Sequence, residues 1–405
     1  MTDTLDELSP RRPARTRQHG RGASSRVERE RRRRVRDRRG QLAVVAVAVV
    51  CATLAAISNS PRGLFMQNDQ TETANGPLVV QATLRTTLTL LTTNTRIVRF
   101  GLLSGIDPKT EQATAVFLPA ATVIEIPALG LQPLTNLLQT SDITATATNI
   151  ANALGVRIDE AVVVNDSGLA KALATTPNIS VSVADAVTVD DGAAILVAGE
   201  NEIASSVAAQ LIGGRESGGS LGHFATVQAV LAGWFTALRA QPERVAAAAK
   251  IRGVAALASL SGYPDTLQFN TLPVASVAAG DTERYEMNES EAAALFNERF
   301  GPAQFGKGSK RARLELLNGV GTPGLVQLVA NRVVPAGGHV VLTGNSVRFG
   351  QRTTKVVYYR DTDAPFARSL ARMLGEGVVA KDASPVSVVD ITIVIGADLA
   401  NKLKR

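Results

Sequence analysis

The sequence predicts an α/β protein in three parts. One transmembrane helix comes first, then a mixed α/β domain with a central mixed sheet, then a small C-terminal domain in β-α-β-β-α-β order. Three observations carry that expectation. Residues 40–61 form a run of 22 uncharged positions near the start of a 405-residue chain. Beyond it, short β-branched stretches alternate with stretches whose apolar residues recur every three or four positions, as strands interleaved with one-faced helices require. Residues 311–400 repeat the alternation in the split βαβ order.

The uncharged run lies between Arg39 and Arg62, and its apolar heart, 42–57, reads LAVVAVAVVCATLAAI. A helix crossing ~30 Å of hydrocarbon needs about 17–25 residues. A buried core helix of this length would carry polar residues at helical period, and none is present. Arg29, Arg31, Arg32, Arg33, Arg34, Arg36, Arg38 and Arg39 precede the run, and Arg62 alone follows it closely. That asymmetry places residues 1–39, a basic and disordered tail, in the cytoplasm and the rest of the chain outside a cell membrane crossed once. Each basic residue near an anionic leaflet contributes about 1 kcal/mol, so membrane lipid is the tail's expected partner. A cleaved or twin-arginine signal is the rival, but no A-x-A closely follows the apolar run.

Charge and sulfur exclude other classes. The net charge is +7, yet residues 1–40 hold 14 Arg against 6 Asp and Glu, so the remainder sums to −1. The basic character belongs to the tail, and no nucleic-acid partner is expected. A single cysteine, Cys51, forbids an intramolecular disulfide. With only His19, His223 and His339 beside it, clustered zinc ligands are not expected, nor is any resident cofactor.

Taken in order, residues 62–76 read as a polar linker and 77–300 as the mixed domain. Strands are predicted at 98–104, 113–118, 161–165, 179–183 and 268–273, with helices at 143–154, 202–211, 224–240 and 289–300. Residues 301–310, GPAQFGKGSK, form a second linker. In the C-terminal domain, strands are predicted at 313–317, 339–343, 353–359 and 388–395, with helices at 323–334 and 364–374. Leu325, Leu328, Val329 and Val333 on the first helix, and Phe366, Leu370, Met373 and Leu374 on the second, mark the faces that pack on the sheet. No titratable cluster is visible in this domain, so it reads as a binding or spacing module.

Gly319, Gly321 and Gly324 match G-x-G-x-x-G between a strand and a helix. A dinucleotide site would place an acidic residue about 20 positions on, at the end of the next strand. That strand reads HVVLTGN from His339 to Asn345, without Asp or Glu. The glycines read as a tight turn, with Pro323 at an early helix position.

The block from RLELLNGVGTPGLVQLVANRV through TTKVVYYRDTDAPFARSLARMLG to VDITIVIGAD closely resembles the LytR C-terminal domain. The preceding segments GLLSGIDPKTEQATAVFLP, NALGVRIDEAVVVNDSGL and LQFNTLPV, with NESEAAALFNERF, resemble the LytR-CpsA-Psr (LCP) domain of bacterial cell surfaces. The resemblance implies an LCP-like fold and phosphotransferase chemistry: moving a glycopolymer from a polyprenyl-pyrophosphate carrier onto peptidoglycan, with a metal ion at the pyrophosphate.

This sequence departs from the family pattern at each charged position. The acidic residue that opens a core strand in the family falls near Arg99. The P-R-D-T run reads Pro119, Ala120, Ala121, Thr122. A later run places Glu200 where an arginine belongs. The D-F-G-R-I-x-R-Q-Q run reads Ser220 for the leading acid, then His223 and Thr226 for its arginines. One transition-state arginine in phosphoryl transfer is worth roughly 10³–10⁵ in rate, so the expectation is a degenerate LCP-like domain, a pseudo-enzyme without catalytic residues. Polyprenyl-linked glycan, peptidoglycan or envelope proteins are the partners implied. The alternative is an active phosphotransferase that uses Mg²⁺ and relocated cations such as Arg96, Arg99, Arg157 or Arg215. Phe224, Val227, Leu231, Trp234 and Phe235 either line a lipid cavity of the kind the family uses or fill the core.

Overall fold

The computed structural model describes residues 84–126, 129–188, 194–214, 219–263, 265–277, 283–306, 311–383 and 388–404. The tail, the membrane helix and the first linker predicted above lie outside these residues. Strands β1 (Arg85–Thr92), β2 (Val98–Asp107) and β3 (Gln112–Pro119) form an antiparallel meander, followed by the pair β4 (Thr122–Ile126) and β5 (Gly130–Pro133). Helix α1 (Ile143–Leu154) leads to β6 (Glu160–Asn165), which lies parallel to β1, and α2 (Asp166–Leu173) follows at once. Strands β7 (Asn178–Val183), β8 (Val187–Thr188), β9 (Ala194–Leu196) and β10 (Gly199–Ala204) make two small ladders, β7 with β10 and β8 with β9. Four helices come next: α3 (Ser205–Gly213), α4 (Gly219–Arg239), α5 (Pro242–Ala249) and α6 (Ala255–Ser259). They return the chain to β11 (Gln268–Thr271), parallel to β3, and then to β12 (Val274–Ser276), β13 (Tyr285–Met287) and α7 (Glu289–Phe300).

The main sheet runs β11-β3-β2-β1-β6 and is mixed, as the sequence predicts. Alternation along its strands divides the core into two layers. Phe100, Leu102, Ala115 and Phe117 face α2 to α6, whereas Leu88, Leu90, Leu103 and Leu118 face α1, α7 and the β12-β13-β4-β5 sheet. Helix α4 carries the first layer. It is long and apolar enough to cross a membrane by length and composition, but half of it is buried inside the fold, as befits a core helix.

Two elements correct the sequence reading. Strand β1, RTTLTLLT, was not predicted, because threonines between leucines suit a linker as well as a strand. In the sheet the first of these threonines finds a partner: Thr86 Oγ1 donates to the Arg157 carbonyl at 2.6 Å. The helix predicted at 202–211 starts only at Ser205. Ile203 is buried between exposed Glu202 and Ala204, a period of two that fits the ladder with β7.

The C-terminal domain comprises β14 (Arg313–Asn318), α8 (Leu325–Val333), β15 (His339–Asn345), β16 (Lys355–Tyr358), α9 (Ala364–Leu374), β17 (Val378–Lys381), β18 (Ile391–Ile395) and α10 (Ala397–Leu403). The predicted order is extended by β17 and α10, both too short to announce themselves by periodicity. The sheet runs β15-β14-β18-β16-β17, so the last strand, apolar on both faces, sits at its centre. The glycine-rich turn is built around Asn318. Its Oδ1 accepts from the amides of Val320 (3.1 Å) and Gly321 (2.8 Å), and a Cβ at Gly319 would lie 2.6 Å from the Ile395 carbonyl. Pro323 lies in this turn, just before the helix.

The two predicted domains pack on each other. Ala151 and Ile158 enter the C-terminal core. Asn152 at the end of α1 pairs with the backbone of β15 as a strand would, donating to the Val340 carbonyl (2.8 Å) and accepting from its amide (3.0 Å). Arg311 donates to the carbonyls of Asn152 and Gly338 across the same joint.

Candidate functional site

Arg99, Pro119, Ala120, Ala121 and Thr122 lie where β1, β3 and β6 end and β2 begins. Arg99, second residue of β2, donates from Nε to Asp166 Oδ1 at 3.0 Å and from Nη2 to Oδ2 at 3.1 Å. Asp166 opens α2, whose N-cap Asn165 accepts from the Gly168 amide. A carboxylate in a first helical turn is favoured by the dipole there. The end of α3 closes over the pair, and a Cβ at Gly213 would lie 3.8 Å from the Asp166 carboxylate and 4.0 Å from the guanidinium.

The neighbouring turn is held by backbone. Pro119 ends β3, and Ala120 and Ala121 make the turn into β4. The Ala120 carbonyl accepts from the amide and hydroxyl of Thr135, and the Ala121 carbonyl from the amide of Tyr285. Thr122 is fully buried, and its hydroxyl has no hydrogen-bond partner among the described residues. The two alanines bring only methyl groups to this turn.

The other positions are placed differently. Glu200 is exposed on β10 and belongs to the small ladder with β7. Ser220 falls in the first turn of α4, and its side chain lies outside the described residues. His223 is buried and its Nε2 sits 3.3 Å from the Ile212 carbonyl, tying α4 to α3, while Thr226 is buried one turn on. Phe224, Val227, Leu231, Trp234 and Phe235 are all buried in the first core layer. The Phe117 ring stacks on Phe224 at 5.1 Å and on Phe269 at 5.8 Å. These side chains pack on one another and line neither of the two cavities described below.

The relocated cations do not converge. Arg157 pairs with Asp159 beside the start of β6, whereas Arg99 lies beyond the end of β1, roughly 20 Å of strand away. Although burial pushes the Asp159 carboxyl up, hydrogen bonds from Arg157 and Thr86 hold it below its ordinary value. Arg96 is exposed in the turn between β1 and β2, and Arg215 lies outside the described residues. The residues at this end do not fit a Mg²⁺ site. The carboxylate described here, Asp166, has both oxygens engaged by Arg99, and no group of three His, Cys, Asp or Glu among the described residues is placed to hold a metal.

Sequence reasoning missed two features. Asp166 was not singled out, because its partner is 67 residues away. The C-terminal domain does hold a titratable cluster: buried Asp390 accepts from Arg313 (2.9 Å) and Arg360 (2.7 Å), and Arg360 also meets Asp363. Only the sheet brings these residues together. A cavity of about 500 Å³ lies along the joint of the two domains, between Glu125 and Glu286 on one side and Arg311 and His339 on the other. Burial lowers Arg311 to about 10; burial, then Arg311 and Arg313, lowers His339 to about 4. A second cavity, of about 1000 Å³, opens at the far end of the main sheet.

Residues 311–399 match the family LytR_C, described as LytR cell envelope-related transcriptional attenuator. No curated protein sequence matches the chain. Among solved structures, TagV of B. subtilis is similar at 14% identity, covering 55% of this chain and 98% of that one with a TM-score of 0.46. TagU of B. subtilis is similar at 16% identity, over 54% and 97%, with a TM-score of 0.43. A structure of TagT bound to LI-WTA is similar at 12% identity, over 60% and 98%, with a TM-score of 0.46.

Proposed function

We propose that this chain is a single-pass protein of the bacterial cell envelope whose exported part is a non-catalytic LCP-like domain joined to a LytR C-terminal domain. It binds or scaffolds partners in the attachment or assembly of cell-wall glycopolymer. The LytR_C match over 311–399, the LCP-like motifs quoted above and the topology implied by residues 1–61 support the reading.

The observation that carries it is the pairing of Arg99 with Asp166 beside Ala120 and Ala121. Gripping a pyrophosphate and stabilising charge in its transition state needs cations with donors to spare. Here the guanidinium charge is offset by its own carboxylate, which takes two of its five donors. His223 is buried against a backbone carbonyl, and Thr122 offers a neutral hydroxyl.

The test uses the full-length protein with a polyprenyl-pyrophosphate-linked oligosaccharide donor and Mg²⁺. No polyprenyl phosphate should be released above the rate without protein. Turnover that Arg99→Ala abolishes would overturn the reading and restore the active phosphotransferase.

A further inference from the structure

The sheet face that carries the first core layer changes character at its other end. Toward the Arg99 end of that face stand Leu91, Phe100 and Leu102. Toward the start of β1 the register sets Thr87 against Ser104 on β2 and Glu160 on β6, and Arg85 against Ile106. Thr87 and Ser104 are 8% and 5% exposed, hydroxyls on a face that packing alone would fill with apolar side chains, and Ser104 Oγ donates to the Thr87 carbonyl at 3.3 Å. The end of α4, helix α6 and the turn at Tyr263 arch over this row, leaving the cleft of about 1000 Å³, at the upper end of the range for ligand pockets.

The lining selects a chemistry. Arg239 pairs with Asp265 at 2.5 Å and Arg85 with Glu160 at 3.4 Å, so the guanidinium charges are cancelled within the wall. Glu111 adds a carboxylate, which disfavours an anionic ligand. An apolar chain would strip water from the hydroxyls and both ion pairs without replacing its hydrogen bonds. A chain of neutral hydroxyls meets every group. Each hydroxyl donates and accepts, and a guanidinium beside a carboxylate offers donors and acceptors to neighbouring hydroxyls. Ile106 and Pro108 give apolar surface for the C–H faces of a ring.

We propose that this cleft binds a neutral oligosaccharide, with Tyr263 and the Arg239–Asp265 pair as its main polar contacts. The inference deepens the binding reading given above and rests on it, but it concerns the end of the sheet away from Arg99.

Titration calorimetry of the full-length protein with cellotetraose, tetraacetylchitotetraose and tetragalacturonate tests it. At least one of the two neutral tetrasaccharides should bind saturably and more tightly than tetragalacturonate. Tyr263→Phe and Arg239→Ala should each weaken that binding roughly fivefold, the effect of one lost hydrogen bond, with the thermal midpoint unchanged. Absence of saturable binding of either neutral chain at millimolar concentration would overturn the proposal. So would tighter binding of tetragalacturonate, or binding that both variants leave intact. Donor turnover is read separately: a failed titration with no turnover removes only this inference, whereas turnover removes the non-catalytic reading.

Discussion

Arg99 and Asp166 lie side by side, guanidinium to carboxylate, through hydrogen bonds of 3.0 and 3.1 Å. Arg99 is the second residue of β2, and Asp166 meets it from the first turn of the helix after β6. Each is about one-third exposed, so the pair contributes about 1 kcal/mol or less to stability. Its larger consequence is that the guanidinium charge is already offset.

Neutralising Asp166 should therefore release a cation. Asp166→Asn is expected to bind inorganic pyrophosphate measurably more tightly than the parent protein in titration calorimetry, and adding Arg99→Ala should remove the gain. Equal affinity of parent and Asp166→Asn would show that the carboxylate is not what keeps anions away.

Asn152 imitates a strand edge against Val340 within the shared packing of the two domains. Truncation to Ala leaves a buried amide and carbonyl on β15 without partners, at about 1–3 kcal/mol for such a group. Denaturant unfolding of Asn152→Ala should show a loss of about 2 kcal/mol. A loss within the error of extrapolation would mean that water replaces the side chain.

Acid should weaken the fold in two separable steps. The His339 imidazole is lowered from 6.5 to about 4, so between these values the unfolded chain takes a proton that the native one refuses, and stability falls as pH drops through that window. His339→Gln should flatten this step. Asp390 is held below its ordinary value: burial opposes this, but bonds from Arg313 outweigh it. Its contribution is present above about 3.8 and is lost as pH falls below, so Asp390→Asn should flatten the second step instead. Thermal midpoints measured from pH 7 to pH 2.5 separate the two.

The core layer leaves little room for change. Phe117, 1% exposed and stacked between Phe224 and Phe269, should lose about 3–5 kcal/mol on truncation to Ala. Gly233→Ala should be at least as harmful, because the new Cβ would lie 2.0 Å from the Ser180 carbonyl and force α4 off β7. Thermal unfolding checks both, and a near-parental midpoint for Gly233→Ala would mean the helix and strand can separate at little cost.

Topology is testable in intact cells stripped of their wall. Added protease should digest a C-terminal tag and the 77–404 region while sparing an N-terminal tag. The reverse pattern would invert the orientation inferred from the arginines before residue 40.

Periodicity and composition sufficed for what is local. The apolar, β-branched runs of β2, β3 and β18 and the apolar stripes of α8 and α9 were legible, because composition and a period of 3.6 are written into neighbouring residues. Leu328 and Met373, expected on those buried stripes, are instead 43% and 39% exposed, since the stripe marks a direction and not how far the sheet extends beneath it. Strand β1 was not legible, since Thr86 acquires its partners only from residues some 70 positions away.

That Ala120, Ala121, Glu200, Ser220, His223 and Thr226 are neither arginine nor aspartate needed only the order of residues. That Arg99 is held by Asp166, that Asp390 gathers two arginines, and that Thr87 and Ser104 open a polar cleft needed the folded chain. Charge and hydroxyl contacts act over a few ångströms, and only strand pairing brings such distant positions that close.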